Sequence, residues 1–392
     1  MKYKNAAEVL PPELIGQIQE YIQGAFLYIP KKEKQAHRAV TEYRIELDKR
    51  NLRIYKMHLE GMTNGQLAQN FSLAQSSIRR ILIGQRKRYE MMCGKIQSLL
   101  WQWNLQQQRI TQIHPSVWQI GEDHVLKVYD QPESLNRNIM INTHLERMGI
   151  PVGRLIPTVE GADYAVDGDA YYLVSEKLPG SNLISLKFGG KTAEAMGSII
   201  ARLHLAFESL EEQVSLWDNS LLDEMNGWVR DRFEETGFAH ISREDFDLVV
   251  RNLASSYEKL PFGLIHRDVH FGNFLFHNKK FSGYIDFDLT QRNIRVFDLC
   301  YFSLSVLSEK EKFEITPENW FDFTRNVFAG YHKLVELTRQ EKESAVYVME
   351  CIELLFLAYF EGQEDTLQAQ SAWDVFRFIR ENENRILRLM PQ

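Results

Sequence analysis

The chain has 392 residues, 44% hydrophobic and 25% charged, which is enough for two or three domains with a sizeable core. No apolar run approaches about 18 residues, and Glu8 and two prolines stand where a signal peptide requires an apolar stretch, so neither a membrane span nor a secretory signal is expected. The 3 cysteines are far apart, which favours a cytoplasmic location and indicates no zinc site.

Charge is divided unequally along the chain. Residues 1–100 contain 17 Lys and Arg against 9 Asp and Glu, a net charge of +8, whereas the remainder carries a net charge of −15. A basic head on an acidic body suggests two domains with different partners, and an anionic partner for the head. The alternative is a short helical domain that carries a few extra lysines.

Residues 1–84 are predicted to form a small all-α domain. Helices are expected at Pro11–Gly24 and at residues 39–60, with the basic stretch Lys31–Lys34 between them. A compact helix, turn and helix then runs from Thr63 to Ile83, and Gly84 is expected to end it.

The second part of this head has a helix-turn-helix pattern, with Leu73, Ile78 and Ile81 as apolar core positions. Residues 1–83 also resemble small uncharacterised bacterial helix-turn-helix proteins, which implies a DNA-binding domain. Three-helix units of this kind also serve as plain interaction modules, which is the alternative. The side chains expected to meet base edges and phosphates in a major groove are Gln75, Ser76, Ser77, Arg79 and Arg80.

The rest of the chain is predicted to begin with strands and continue with helices. A linking helix with one apolar face is expected at residues 85–104, followed by a hairpin of Ile110–Ile120 and His124–Tyr129. A helix at about 134–148 and a strand at Tyr171–Glu176 come next. This order indicates a two-lobed α+β architecture, with lobes at residues 105–180 and 181–392.

Two segments between His266 and Asp288 carry the residue types needed for phosphoryl transfer. That reaction requires a carboxylate that orients or deprotonates the acceptor hydroxyl, and oxygen ligands for magnesium. Asp268 and Asn273 stand five residues apart between apolar runs, and Asp286 and Asp288 follow an apolar strand. Magnesium prefers one or two such ligands together with phosphates and water.

These segments resemble those of the aminoglycoside phosphotransferase and choline kinase group, which are relatives of the protein kinases. The matching residues are His266-Arg267-Asp268-x-His270-x-x-Asn273 and Ile285-Asp286-Phe287-Asp288. The resemblance implies a protein-kinase-like fold, a mainly β N-lobe and a helical C-lobe. It further implies that Asp268 is the catalytic base, that Asn273 and Asp286 hold magnesium, that His266 shapes the loop, and that Asp288 is a second acidic group near the metal.

Upstream segments also resemble the family. Val125–Tyr129 is similar to the strand whose lysine, here Lys127, contacts the nucleotide phosphates. Tyr172–Gly180 is similar to the hinge between the lobes, which implies that the Glu176 carbonyl and the Leu178 amide bind the adenine edge. Downstream, Asp298 matches a structural aspartate. His204 lies in a segment similar to the helix before the substrate subdomain, and it is interpreted as a packing residue.

Two positions depart from the family pattern. Asn138 occupies the place of the helix glutamate that pairs with the strand lysine, unless Glu133 substitutes for it through an offset helix. The phosphate-covering segment Ile113–Val117 has no glycine, which leaves Ser116 as the donor to phosphate. These departures allow low ATP affinity or an altered nucleotide preference.

The leading interpretation is a phosphotransferase that uses ATP, with GTP as the alternative, together with Mg²⁺ to phosphorylate a hydroxyl of a small molecule. The alternatives are a transcription regulator whose kinase-like lobes sense a ligand, and a structural protein of the spore-coat type. An acidic, aromatic pocket would favour a cationic or sugar-like acceptor. Its expected aromatic residues are Trp217, Trp228, Trp320, Tyr331, Tyr347 and Tyr359.

Overall fold

The computed structural model describes residues 36–71, 73–182, 190–211, 219–278, 280–309, 313–363 and 365–391. The helix predicted at Pro11–Gly24, the basic stretch Lys31–Lys34 and Trp217 lie outside these residues. Residues 1–48 and 49–392 are two compact units. The described part of the first unit, residues 36–48, is helical.

Helices α1 (Ala36–Leu59), α2 (Asn64–Asn70) and α3 (Gln75–Leu99) precede the first strand. Thr63 starts α2 through a capping box, in which its side chain and that of Gln66 satisfy each other's backbone N–H groups. A small apolar core holds the helix pair together, which confirms the core role predicted for Ile78, with Leu73 and Ile81 partly buried. Its buried members are Ile54, Leu67, Ile78 and Leu82.

The prediction that Gly84 ends a helix is wrong. Helix α3 continues through Gly84 to Leu99, and a 3-10 helix at Leu100–Trp103 follows, after which Asn104 adopts the left-handed conformation. Glycine inside a helix costs about 1 kcal/mol relative to alanine, but the residues beyond Gly84 offset this cost because they bury an apolar face. The expected domain boundary at residue 84 thus falls within a helix of the larger unit.

The N-lobe contains a five-stranded antiparallel sheet in the order β1-β2-β3-β5-β4. The predicted run Ile110–Ile120 is two strands joined by a tight turn, and it pairs with the predicted strand His124–Tyr129 as expected. The strands are β1 (Ile110–His114), β2 (Val117–Ile120), β3 (His124–Tyr129), β4 (Ala165–Asp167) and β5 (Ala170–Glu176), and helix α4 (Pro132–Arg147) follows β3.

The end of α3 packs on this sheet. Ile96 and Trp103 belong to the same buried cluster as Trp118 of β2 and Tyr172 of β5, which confirms that the linking helix packs its apolar face on a neighbour. Tyr89 extends the contact, with its ring 5.6 Å from that of Trp118. The long helix is therefore part of the N-lobe.

The C-lobe is mainly helical and carries two short antiparallel strand pairs, β6 with β9 and β7 with β8. The β7–β8 pair supports the segment that contains Asn273 and Asp286. These strands are β6 (Phe262–Ile265), β7 (Phe274–His277), β8 (Lys280–Tyr284) and β9 (Gln291–Ile294). The helices are α5 (Gly190–Glu211), α6 (Leu221–Glu224), α7 (Arg230–Glu235), α8 (Arg243–Tyr257), α9 (Val296–Ser308), α10 (Pro317–His332), α11 (Arg339–Gly362), α12 (Thr366–Glu381) and α13 (Glu383–Leu387).

Helices α5 and α10 cross at two glycines. A Cβ added to Gly197 would lie 1.9 Å from the Val327 carbonyl oxygen, and one added to Gly330 equally close to the Glu194 carbonyl oxygen. This crossing brings His204 of α5 to Tyr331 of α10.

The two-lobed α+β fold predicted from the sequence is confirmed.

Two aromatic residues expected in an acceptor pocket belong to the core instead. Trp320 and Tyr331 are fully buried. The Trp320 Nε1–H donates to the Ser303 carbonyl at 2.8 Å, and the Tyr331 hydroxyl lies 2.8 Å from His204 Nδ1. Among the described helices, none combines the length and apolar character that crossing a membrane would require.

Candidate active site

The loop from His266 to Asn273 connects β6 to β7 and is fixed by a buried carboxylate. Asp298, at the start of α9, accepts hydrogen bonds from the backbone N–H groups of His266 at 2.9 Å and Arg267 at 3.0 Å. The ring of His204 lies 3.0 Å from the same carboxylate and 2.8 Å from the hydroxyl of Tyr331. Asp298 therefore has the structural role that was predicted for it, because it fixes the loop backbone. His204 was interpreted as a packing residue, but it also contacts this carboxylate and so helps to position it.

Asp268 lies at the centre of a hydrogen-bond network. One carboxylate oxygen accepts from the Tyr301 hydroxyl at 2.9 Å, and the other accepts from Asn273 Nδ2 at 2.9 Å and lies 3.5 Å from His270 Nε2. Burial works to raise the pKa of Asp268, but the hydrogen bond from His270, the charges of both neighbouring histidines and the Tyr301 hydroxyl hold it below its ordinary value. The group is therefore an ionised acceptor at neutral pH.

Asn273 and Asp286 are joined through the backbone. The Asn273 carbonyl accepts from the Ile285 N–H at 3.0 Å. The Asn273 amide nitrogen donates to Asp268 at two atoms, which leaves its Oδ1 as the atom suited to a metal. Asp286 adopts a left-handed φ of 66°, an uncommon conformation outside glycine that recurs at functional sites.

A divalent cation fits these donors. Asn273 Oδ1 and the Asp286 carboxylate are hard oxygen ligands, the type that magnesium prefers. Among the residues that the structure describes, no three His, Cys, Asp or Glu side chains form a metal-binding group. Asn273 Oδ1 and the Asp286 carboxylate would hold such an ion together with other oxygen ligands.

Lys127, in β3, meets both acidic residues of the second segment. Its Nζ lies 3.0 Å from Asp286 Oδ1 and 2.6 Å from Asp288 Oδ2. Burial works to lower the pKa of Lys127, but the charges of Asp288 and Asp286 outweigh it and raise the pKa well above its ordinary value. The lysine is thus a fixed positive charge where the sequence predicts contact with phosphate.

Asn138 does not contact the lysine directly. Its Nδ2 donates to Asp288 Oδ1 at 3.0 Å, and its own Oδ1 accepts from Asn142 Nδ2 at 2.7 Å. Asn138 and Lys127 therefore contact the same residue, Asp288, and not each other. Glu133 is exposed at the start of α4 and makes no ion pair with Lys127, so the offset-helix alternative is not adopted.

The turn between β1 and β2 lies next to the lysine. Ser116 directly precedes Val117, the cross-strand partner of Lys127, and its carbonyl accepts from the Val128 N–H at 2.9 Å. Lys56 of α1 also contacts this region, because its Nζ donates to the Ile113 carbonyl at 2.5 Å. Ser116 thus lies in the turn next to Lys127.

The predicted hinge connects the sheet to the β7–β8 pair. Arg154 Nε donates to the Glu176 side chain at 3.0 Å, and the Glu176 N–H donates to the Arg154 carbonyl at 2.8 Å. A Cβ on Gly283 would lie 2.6 Å from a methyl group of Leu178, so this glycine lets the hinge pack closely on β8. Glu176 and Leu178 therefore lie in the segment that connects the sheet to the β7–β8 pair.

Sequence reasoning missed Tyr301, which donates to the predicted catalytic carboxylate. The signal available was its spacing: Tyr301 follows Asp298 by three residues, so both lie on one face of α9, and Asp298 already binds the catalytic loop.

The residues predicted to contact DNA lie in the first turns of α3. Gln75, Ser76, Arg79 and Arg80 are exposed and Ser77 is half-buried, because Ile78 turns the other face of the helix into the small core. The structure thus brings these five side chains to one region of the surface, at a distance in sequence from the catalytic loop.

Comparisons with known proteins bear on the family and the fold. The sequence model described as the phosphotransferase enzyme family (APH) matches residues 107–332. The structure of the amicoumacin kinase hAmiN, in complex with AMP-PNP, Ca²⁺ and Ami, is similar with a TM-score of 0.57 at 19% identity, covering 76% of this chain and 95% of that one. A microcompartment-associated aminopropanol kinase is similar with a TM-score of 0.50 at 16% identity, covering 76% and 100%.

A different relative matches a shorter stretch. The uncharacterized protein YraL of Bacillus subtilis (strain 168) is 37% identical over 84 residues, which cover 21% of this chain and 97% of that protein.

Proposed function

The chain belongs to the phosphotransferase enzyme family, and we propose that it transfers the terminal phosphoryl group of a nucleotide to a hydroxyl of a small molecule. The observation that carries this proposal is the convergence of Asp268, Asn273, Asp286 and Lys127 on one site. Each has the chemistry that one part of the reaction requires.

The proposed roles follow from these contacts. Asp268, ionised and held by Tyr301, orients the acceptor hydroxyl and accepts its proton. Asn273 and Asp286 hold Mg²⁺, which when bound neutralises phosphate charge. Lys127 binds the phosphates of the donor from the opposite lobe.

The nucleotide would lie between the lobes. Ser116 would cover the phosphates, and the Glu176 carbonyl with the Leu178 amide would bind the base. ATP is the expected donor, with GTP as the alternative; the hinge carbonyl would accept from the adenine amino group and the hinge amide would donate to a ring nitrogen. His266 keeps the catalytic loop in place through its backbone and ring contacts.

The test is release of ADP or GDP by the full chain with Mg²⁺ over a panel of amino alcohols, sugars and amino sugars. We expect acceptor-dependent turnover that stops when EDTA removes the metal. Nucleotide binding without turnover would contradict the proposal and favour a ligand-sensing regulator. Absence of nucleotide binding would favour a structural protein.

We propose separately that the exposed first turns of α3 bind duplex DNA through the phosphate backbone and base edges. This proposal rests on the exposure of Gln75, Ser76, Arg79 and Arg80 on one helix and on the net charge of +8 in residues 1–100.

For DNA binding, the Arg79→Ala/Arg80→Ala double variant is expected to bind a mixed-sequence duplex more weakly and to reduce the slope of log K against log salt by about 2, roughly 1 for each phosphate that the variant no longer neutralises. Fluorescence anisotropy of a labelled duplex at several salt concentrations measures this slope. Arg251→Ala, at an exposed position on α8, is the matched control. Wild-type binding that does not weaken as salt rises would contradict phosphate contacts.

A further inference from the structure

A β-bulge shapes the entry to the turn between β1 and β2. Gln112 lies opposite Trp118 and His114 lies opposite Val117, so Ile113 is an extra residue in the first strand. A bulge leaves its extra residue outside the ladder of backbone hydrogen bonds and bends the strand. The backbone carbonyl of Ile113 is therefore available to a donor from another element, at the point where the chain enters the turn.

Lys56 of α1 is that donor. Its Nζ donates to the Ile113 carbonyl at 2.5 Å, between residues 57 positions apart in the sequence. The lysine side chain is half-buried, and a hydrogen bond from a charged donor is stronger than one between neutral groups. Lys56 also lies outside residues 107–332, which match the family, so the helices that precede the lobes supply this contact.

A row of rings joins α1 and α3 to the same hairpin. The ring of Tyr55 lies 6.3 Å from that of Tyr89, which lies 5.6 Å from the ring of Trp118 in β2. The Tyr89 hydroxyl also donates to the Ile110 carbonyl, at the start of β1, at 3.4 Å. Helices α1 and α3 therefore contact β1 near both of its ends, and this packing sets the position of α1 relative to the turn.

The bulged turn adjoins the lysine proposed to bind phosphate. Val117, the first residue after the turn, is the cross-strand partner of Lys127, and the Ser116 carbonyl accepts from the Val128 N–H at 2.9 Å. Residues 113–117 contain no glycine, so the turn lacks the free choice of backbone conformation that glycine allows. Its position over a bound phosphate then depends on the contacts that hold it.

We propose that Lys56 is a positioning residue for the nucleotide, because its hydrogen bond to the bulge holds the β1–β2 turn in the form that covers the phosphates. This inference rests on the proposed phosphotransferase function and assigns part of the control of its nucleotide site to α1. The effect of Lys56 should be confined to ligands that carry phosphates, since a nucleoside would contact the hinge and leave the turn unused.

The experiment measures binding of AMP-PNP with Mg²⁺ by calorimetry and of adenosine by ligand-observed NMR, with GMP-PNP and guanosine as the guanine pair. Lys56→Met keeps the apolar stem and a good helix former, so its melting temperature should stay close to that of wild type. It should weaken AMP-PNP binding by about threefold to thirtyfold, within the free energy of one hydrogen bond to a charged group. Adenosine binding should stay within about twofold of wild type.

Two variants serve as controls. Lys56→Arg retains a charged donor and should recover most of the affinity for AMP-PNP. Lys87→Met removes the same charge from an exposed position on α3 and should bind AMP-PNP as wild type does. Equal AMP-PNP affinity in wild type and Lys56→Met would overturn the inference. An equal loss for AMP-PNP and adenosine would overturn it too, because a general disturbance of the lobe would weaken both.

Failure of the proposed function gives a different result. If wild type binds neither AMP-PNP nor GMP-PNP, phosphoryl transfer is not supported, and the contact is then decided by amide hydrogen exchange of residues 110–128 without nucleotide. Faster exchange in Lys56→Met, by about threefold or more, with wild-type rates in Lys56→Arg and Lys87→Met, supports the positioning of the turn by Lys56. Equal exchange in wild type and Lys56→Met overturns it.

Discussion

Replacement of Asp268 by asparagine is expected to lower kcat by about a hundredfold to ten-thousandfold, the usual contribution of a general base, while nucleotide affinity stays close to that of wild type. Asparagine preserves the shape of the side chain and its acceptor for Tyr301, but it cannot take a proton from the acceptor hydroxyl. Because the surroundings hold the pKa of Asp268 below its ordinary value, wild type keeps the carboxylate ionised throughout the neutral range.

The measurement is steady-state nucleotide hydrolysis and acceptor phosphorylation, with nucleotide binding determined by calorimetry. Asp247→Asn is the matched control, because Asp247 is a partly buried carboxylate paired with Arg230 at 2.7 Å in the same lobe. Turnover within a few-fold of wild type in Asp268→Asn would assign the proton transfer elsewhere. A loss of cooperative melting would show that the variant tests folding instead of chemistry.

The residues proposed to act in phosphoryl transfer could be predicted to lie together because they stand in short sequence patterns. Asp268 and Asn273 share one loop, and Asp286 follows a strand that pairs next to it. Lys127 stands 159 residues before Asp286, and only the resemblance of Val125–Tyr129 to the family's lysine-bearing strand indicated that the two would be neighbours. The two-lobed fold followed from strands that precede helices.

Contacts between distant elements could not be predicted in the same way. The sequence places Asn138 on a helix, but whether its amide reaches Lys127 or Asp288 depends on the packing of α4 against β3 and β5. The aromatic residues show the same limit, since Trp320 and Tyr331 are core residues whereas Tyr301 donates to Asp268. Helix continuity through Gly84 likewise depends on the apolar surface that α3 meets, namely the sheet.

The contact between Asp288 and Lys127 can be tested by moving the carboxylate from position 288 to position 138. Asp288→Asn should lower kcat/KM for the nucleotide by about a hundredfold, the cost of misplacing a reacting group by about 1 Å. Lys127 would then keep only Asp286, the residue proposed to hold the metal. Asn138→Glu alone should also lower activity and stability, because it places a second carboxylate beside Asp288 and removes the present amide donor.

The double variant Asn138→Glu/Asp288→Asn should recover at least about tenfold of the loss in Asp288→Asn, a coupling of roughly 1.4 kcal/mol between contacting residues. The carboxylate then stands on α4, where related kinases have it, and the asparagine at 288 can donate to it. Initial rates at varied nucleotide concentration measure the coupling. The control is Glu133→Gln, at the exposed start of α4. Its kcat/KM should stay within about twofold of wild type because Glu133 is not part of the Lys127–Asp288–Asn138 network. A double variant no better than Asp288→Asn would show that Asp288 acts on the metal and not on the lysine. Recovery would show instead that Asp288 acts as the counter-ion of Lys127 and that Asn138 supports this pair.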